Sequence, residues 1–206
     1  MPIPSSLGVT PGTGSNIAAT SYTDENAHTV LDQKVILGEQ YLSTFDANAI
    51  GINASTSASH ILQIMAGSSL DVRIRRITVW QSAVATTAAI SDLAILRLTS
   101  AGTGGTVVTP TTLVPSDTTT SSARTLPSSK GSEGAIIMQP TLTYTQTVPV
   151  SGPGNAMLLF DYDWDALRAK PLIIGAGTSN GLALKIITGV AGATLNVTVT
   201  YSESVF

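Results

Sequence analysis

From residue 60 onward the chain alternates apolar and polar positions. This is the period that sends successive side chains to opposite faces of a β-strand. His60-Ile61-Leu62-Gln63-Ile64-Met65 is a short strand. In Leu70-Asp71-Val72-Arg73-Ile74 the apolar residues share one face, and Asp71 and Arg73 share the other. The step from Ile74 to the next apolar residue, Ile77, is three positions rather than two. One extra residue at Arg75–Arg76 restores the register, which predicts a β-bulge there. Ala94, Leu96 and Leu98 share a face of the strand Asp92 to Thr99. Ala135 to Val148 is broken by Pro140, which donates no ladder hydrogen bond and marks an edge or a bend. Ala156 to Phe160 is a continuous apolar run, the pattern of a buried strand. Pro171 to Ala176 and Leu182 to Thr188 flank a turn, Gly177 to Gly181, with an Asn-Gly tip. The last strand is the clearest: Leu195, Val197, Val199 and Tyr201 alternate with Asn196, Thr198, Thr200 and Ser202.

The first 55 residues lack this regularity. Residues 1–21 are rich in Gly, Pro, Ser and Thr without a period, the signature of an extended arm. Val30 to Leu37 suits a strand or a short helix, and Asn48 to Ser59 is a small, polar linker. The expected organisation is an N-terminal arm and linker over 1–55 and a β domain over 56–206. About eight strands are joined by Gly/Ser/Thr loops, the longest being Ser100 to Pro110 and Val114 to Gly134. No amphipathic helix intervenes beyond a turn at Asp163 to Ala169. The class is all-β: a sandwich, jelly roll or barrel. No internal repeat points to a propeller or β-helix.

Composition narrows the chemistry. The chain has 206 residues, no cysteine and a formal net charge of −3, so Cys-ligated metal sites, disulfides and thiol nucleophiles are excluded. Only 11% of residues are charged, whereas 29 Thr and 23 Ser supply small hydroxyls. A hydrophobic fraction of 43% with low charge is unlike a disordered chain. The weak acidity speaks against phosphate-backbone binding, so no nucleic-acid partner is expected. No apolar run reaches the roughly 18 residues of a membrane span, so no membrane partner is expected. The start, Met1 to Gly8, has neither a basic segment nor a long apolar one, and no secretory signal is expected. Soluble monomers usually carry about 25–35% charge on their surface. A hydroxyl-coated β surface with less charge, and with strand edges to cover, favours a subunit of an assembly over a lone sandwich. The apolar residues Val35, Ile36, Leu37, Tyr41 and Phe45 suit packing of the arm on a neighbour.

Candidate chemistry is sparse. His28 and His60 lie in different segments and both read as surface imidazoles. There is no Gly-x-Ser-x-Gly elbow and no phosphate-binding Gly-x-x-x-x-Gly-Lys loop. Gly102-Thr103-Gly104-Gly105 reads as a flexible hairpin loop. Asp161, Asp163 and Asp165 resemble the start of a calcium loop, but Ala166 and Leu172 stand where an EF-hand needs Gly and Glu. They remain weak metal candidates beside the plainer reading, aspartates capping a short helix or turn. No catalytic residue, cofactor or metal is otherwise assigned. Asp71, Asp92, Glu133 and Asp161 would have to converge to hydrolyse a glycosidic bond. Trp164 suits a core or interface anchor, Trp80 a rim or inter-subunit contact, and both, less well, sugar platforms. Arg73, Arg75 and Arg76 form the densest positive cluster, either for an acidic partner or for cross-strand pairing with Asp71 or Asp92. Asn53 and Asn196 stand in glycosylation sequons.

Three stretches carry a resemblance: Arg73 to Trp80, Leu96 to Thr106, and Gly181 to Ile186. From Leu70 onward, over about the last 135 residues, the chain resembles jelly-roll structural proteins of tailed bacteriophage virions. The resemblance implies a jelly-roll-like antiparallel β-sandwich without enzymatic activity. It further implies a capsid decoration or cement subunit, a homotrimer that contacts the major capsid protein or other virion proteins. Its place would be the virion, assembled in the host cytoplasm. A tail or fibre component with receptor or glycan contact is the first alternative, and a carbohydrate-binding module the second.

Overall fold

The structure is a computed structural model that describes residues 19–23, 29–33, 42–146, 157–167 and 169–204, with side chains described from residue 42 onward. The chain divides into two compact units, Met1–Tyr41 and Leu42–Phe206. In the first, β1 (Ala19–Thr23) and β2 (Thr29–Gln33) form an antiparallel hairpin with Ala19 opposite Gln33 and Thr23 opposite Thr29. β1 begins within residues 1–21, where an extended arm is expected, and β2 overlaps Val30 to Leu37, where a strand is one of the two expected elements.

The second unit holds β3 (Ser43–Asn53), β4 (His60–Met65), β5 (Asp71–Ala83), β6 (Ala89–Leu98), β7 (Thr106–Val108), β8 (Thr111–Thr112) and β9 (Ser122–Thr125). It continues with β10 (Glu133–Met138), β11 (Thr141–Tyr144), β12 (Met157–Asp163), β13 (Leu172–Ile174), β14 (Gly181–Ile186) and β15 (Thr194–Ser204). There is no helix among the described residues. One sheet runs β10-β6-β14-β4-β9-β7, with β11 also on β6; the other runs β12-β5-β15-β3-β8, with β13 also on β5. Every pairing is antiparallel. The architecture is an all-β, two-sheet sandwich.

The main strands pair in a nested way. β3 pairs β15, β4 pairs β14, β5 pairs β12 and β6 pairs β10. Members of each pair lie in one sheet, and successive pairs alternate between sheets. The core fills the space between. Val72, Ile74, Ile77 and Val79 of β5 and Leu195, Val197, Val199 and Tyr201 of β15 meet Ile61, Ile64, Leu182 and Leu184 from the other sheet. The alternation in β5 and β15 is thus the core face of one sheet, and each buried aliphatic side chain contributes about 1.5–3 kcal/mol. β4 and β6 are buried on both faces. Leu93 and Ile95 join this core, while Met65, Ala94, Leu96, Leu98 and Ala183 form a second, smaller cluster.

Bulges re-aim side chains at the margins. Between Thr200↔Arg76 and Tyr201↔Ile74, Arg75 is the extra residue, as the spacing predicts. Between Ile52↔Leu195 and Ala49↔Val197, Ile50 and Gly51 face the single Asn196. Gly51 has φ 67°, which glycine adopts without Cβ strain, and its N–H donates to Asn196 Oδ1 at 2.9 Å. Ile50 is thereby turned outward, 77% exposed. Ile137 is the extra residue on β10 between Ile136↔Leu96 and Met138↔Ile95.

Several expectations are corrected. Residues 43–53 are not linker but β3, central to one sheet, so the boundary expected after residue 55 lies instead after Tyr41. Phe45 is buried against Tyr201, ring centroids 5.6 Å apart, and is no interface residue. The long loops carry β7, β8 and β9. The Asn-Gly turn joins no hairpin: β13 pairs β5 and β14 pairs β4, so the chain changes sheets there.

Burial separates two isoleucines of the same sheet, Ile77 on β5 and Ile50 on β3. Ile77→Ala, in the core, is expected to cost about 2–5 kcal/mol of unfolding free energy in urea titration. Ile50→Ser, on the bulge, is expected to change it by less than about 0.5 kcal/mol.

Candidate functional site

The residues singled out from sequence scatter. Val35, Ile36, Leu37 and Tyr41 lie outside the described residues, as does His28. The arginine cluster does pair with carboxylates, but with different ones than expected. Arg76 makes a bidentate contact to Asp161, at 2.9 and 2.7 Å. Arg75 Nη1 donates to Asp165 Oδ2 at 2.8 Å and Nε to Ser202 Oγ at 3.2 Å. Arg73 sits on the ladder between Ile173 and Ser202. The Arg76 hydrogen bonds hold the Asp161 carboxyl below its ordinary range against a small opposing effect of burial.

The three aspartates do not converge. Asp161 faces Arg76, Asp165 faces Arg75, and Asp163 Oδ1 accepts the Ala166 N–H at 2.9 Å to cap a turn. Each carboxylate is engaged by the chain itself, and among the described residues no acidic or imidazole cluster suits a metal ion. The proposed glycosidase acids are equally dispersed. Asp71 accepts from the Ala176 N–H, Asp92 from Thr141 and Gln139, and Glu133 from Lys185. Trp164 is 6% exposed and packs edge-on against Tyr162 at 4.5 Å, so of its expected roles the structure shows the core one. Trp80 remains half-open, opposite the exposed Leu158 of β12. Asn53 and Asn196 use their side-chain oxygens on the backbone N–H groups of Ser55 and Gly51.

The sharpest polar arrangement involves a residue read as a surface imidazole. His60 is 1% exposed. Its Nε2 lies 3.0 Å from Glu133 Oε1, and its Nδ1 lies 2.6 Å from Gln63 Nε2. The Gly102 N–H donates to Gln63 Oε1 at 3.1 Å, which fixes the amide with its NH₂ toward the ring and toward the Lys130 carbonyl. Nδ1 is therefore the acceptor and Nε2–H the donor, so the imidazole is neutral. Lys185 closes the cluster on Glu133 at 2.7 Å, and Lys130 Nζ lies 3.9 Å from the same carboxylate. Burial pushes His60 below its ordinary value, although Glu133 pulls the other way. Glu133 sits below its own ordinary value because Lys185 and His60 outweigh its burial. Both ring nitrogens are spent within the fold, and no lone pair is left to take a proton from a substrate. The cluster works as a clamp that ties Gly102 and Lys130 of the long loop segments to β4.

A second clamp lies at the end of β15. Glu203, 4% exposed, accepts hydrogen bonds from the Thr119 hydroxyl, the Thr120 N–H and hydroxyl, and the Ser121 N–H. Burial alone would raise this carboxyl; these donors bring it below its ordinary range. Sequence reasoning passed over both clamps. The available signal was a polar residue inside an apolar strand: His60 and Gln63 in β4, Glu203 closing β15. Comparison with protein-family models, with curated proteins and with solved structures finds no match.

The His60 clamp sets a pH dependence. Its folded pKa is lowered, so the unfolded chain binds the proton more readily. The stabilisation is present above the ordinary value of 6.5 and is lost as pH falls below it. The lowered Glu133 and Glu203 act in a separate window, below their ordinary 4.5. Urea midpoints are expected to fall between about pH 6.5 and pH 5 in the wild type, and this slope is expected to vanish in His60→Gln. A wild-type midpoint flat across that window contradicts the assignment. Gln63→Leu, which orphans Gly102 N–H, is expected to cost about 1–3 kcal/mol.

Proposed function

We propose that this chain is a non-enzymatic structural subunit of a bacteriophage particle, a decoration or cement protein that coats the head as a homotrimer and rests on the major capsid protein. The observation that carries the reading is where the apolar surface lies. The central strands β4, β14 and β15 expose no large hydrophobic side chain. The exposed ones sit on edge strands, strands beside them, or adjoining loops. Ile136, Ile137 and Leu158 lie on the β10/β12 flank, and Ile50, Val107 and Leu126 on the β7/β3 flank. Edge strands with open hydrogen-bonding groups and apolar side chains are the surfaces that pair with other chains.

Other features support the same reading. The nested pairs, in the orders β3-β15-β5-β12 and β4-β14-β6-β10, support the jelly-roll part of this reading. The buried imidazole and the acidic side chains named above are committed to holding the fold. Bulges at Ile50 and Ile137 twist the edges, which limits indiscriminate strand addition and leaves specific side chains to choose the partner. The N-terminal unit supplies a further contact element in this reading, and its removal has to stop at Tyr41 to spare β3.

Light scattering on the purified chain is expected to give a mass near three times 21.1 kDa. Ile136→Asp combined with Ile137→Asp is expected to lower that mass toward one chain with the circular dichroism spectrum unchanged. A monomer at every concentration in the wild type overturns the reading.

A further inference from the structure

At the β10 flank the two sheets part to leave a crevice of about 350 Å³. It is lined by Ile137 and Met138 of β10, Arg97 of β6, Trp164, Lys170 and Leu172 of β13. Arg97 crosses the gap, its Nη1 donating to the Ile173 carbonyl on the opposite sheet. The guanidinium is thus held across the crevice rather than free on the surface. Lys170 precedes Pro171, whose ring restrains the backbone that carries it.

The cations at this mouth differ from those that the fold pairs with carboxylates. Arg75 faces Asp165, Arg76 faces Asp161 and Lys185 faces Glu133. Arg97 and Lys170 have no carboxylate partner among the described residues, and both line the same apolar crevice. Apolar walls with two cations select an amphipathic anion. A guanidinium already bonded on one nitrogen has an N–H left for a carboxylate oxygen, and an ammonium adds a second donor. The aromatic edge of Trp164 and the side chains of Met138, Ile137 and Leu172 accept an apolar body. The volume, at the small end of ligand pockets, suits a group of phenylpropionate size.

We propose that this crevice binds a carboxylate carried on an apolar body, with Lys170 and Arg97 holding the carboxylate and Trp164, Met138 and Leu172 holding the apolar part. Such a group comes either from a free organic acid or from the carboxylate of a protein tail. All the lining residues come from one chain, and of them only Ile137 also stands on the margin invoked for assembly.

The test uses the full chain carrying Trp80→Phe, which leaves Trp164 as the only tryptophan reporter. Its fluorescence is titrated with 3-phenylpropionate, 3-phenylpropanol and 3-phenylpropylamine. Two peptide probes follow, acetyl-Ala-Ala-Phe with a free carboxylate and the same peptide as its amide. Saturable binding is expected for the carboxylates, about tenfold weaker for the alcohol and the amide, and absent for the amine. Lys170→Glu is expected to weaken carboxylate binding about tenfold or more, and Lys170→Arg to retain it. Binding of the free acid alone assigns the site to small acids, and binding of the peptide alone assigns it to a protein tail; either supports the proposal. No saturable response to any carboxylate, an equal response to the amine, or indifference to Lys170→Glu overturns it. The mass of the assembly, read in the same samples, reports separately on the subunit reading.

Discussion

The structure depends on pairing the beginning of the sandwich with its end. β15 lies between β3 and β5, and its alternating face forms a large share of the core. Removing β3 would strip one side of β15 of its hydrogen-bonding partner and take Phe45, Ala47 and Ala49 out of the core. The inner pairs, β4 with β14, β5 with β12 and β6 with β10, are then closed in turn. Contacts of such long sequence separation incur most of their loop-closure entropy before core burial offsets it, so the fold is cooperative and slow to form. It also leaves each sheet with two open margins, and it is there that the exposed apolar side chains gather.

Two buried polar clamps finish what the core begins. Hydrogen bonds from neutral His60 through Gln63 reach Gly102 and Lys130. Glu203 gathers Thr119, Thr120 and Ser121. Between them they fasten the long segments between β6 and β10 that have little apolar material of their own. The chemistry of these residues is thereby spent on order. An imidazole beside a carboxylate looks catalytic in outline, yet its second nitrogen is occupied by an amide whose orientation a backbone N–H fixes.

Much of the β architecture was legible in the sequence. The period of two in β5 and β15, the bulge at Arg75 and the interruption at Pro140 follow from steric and hydrogen-bonding rules that hold within one strand. β3 was not legible, because Ala47, Asn48 and Ala49 have little intrinsic strand preference; the ladder with β15 imposes the conformation. β7, β8 and β9 were hidden for the same reason, being short and rich in Ser and Thr. His60 misled because its neighbours before the strand are small and polar, while its partner Glu133 is distant in sequence. The arginine cluster showed its need for carboxylates but not which ones: Asp161 and Asp165 come from a strand and turn brought alongside β5 by the nested pairing.

A closed core, buried polar groups committed to the fold and apolar margins are the features on which the proposed subunit reading rests. Hydrogen–deuterium exchange at β7 and β10 tests that reading most directly. Both strands are sheet ends, so in an isolated chain their outward N–H groups meet water. In the concentrated protein these amides are expected to exchange slowly and to lose protection on dilution, whereas those of β14 stay protected throughout. Rapid exchange at both edges, at every concentration and with a particle's other proteins present, would contradict the account.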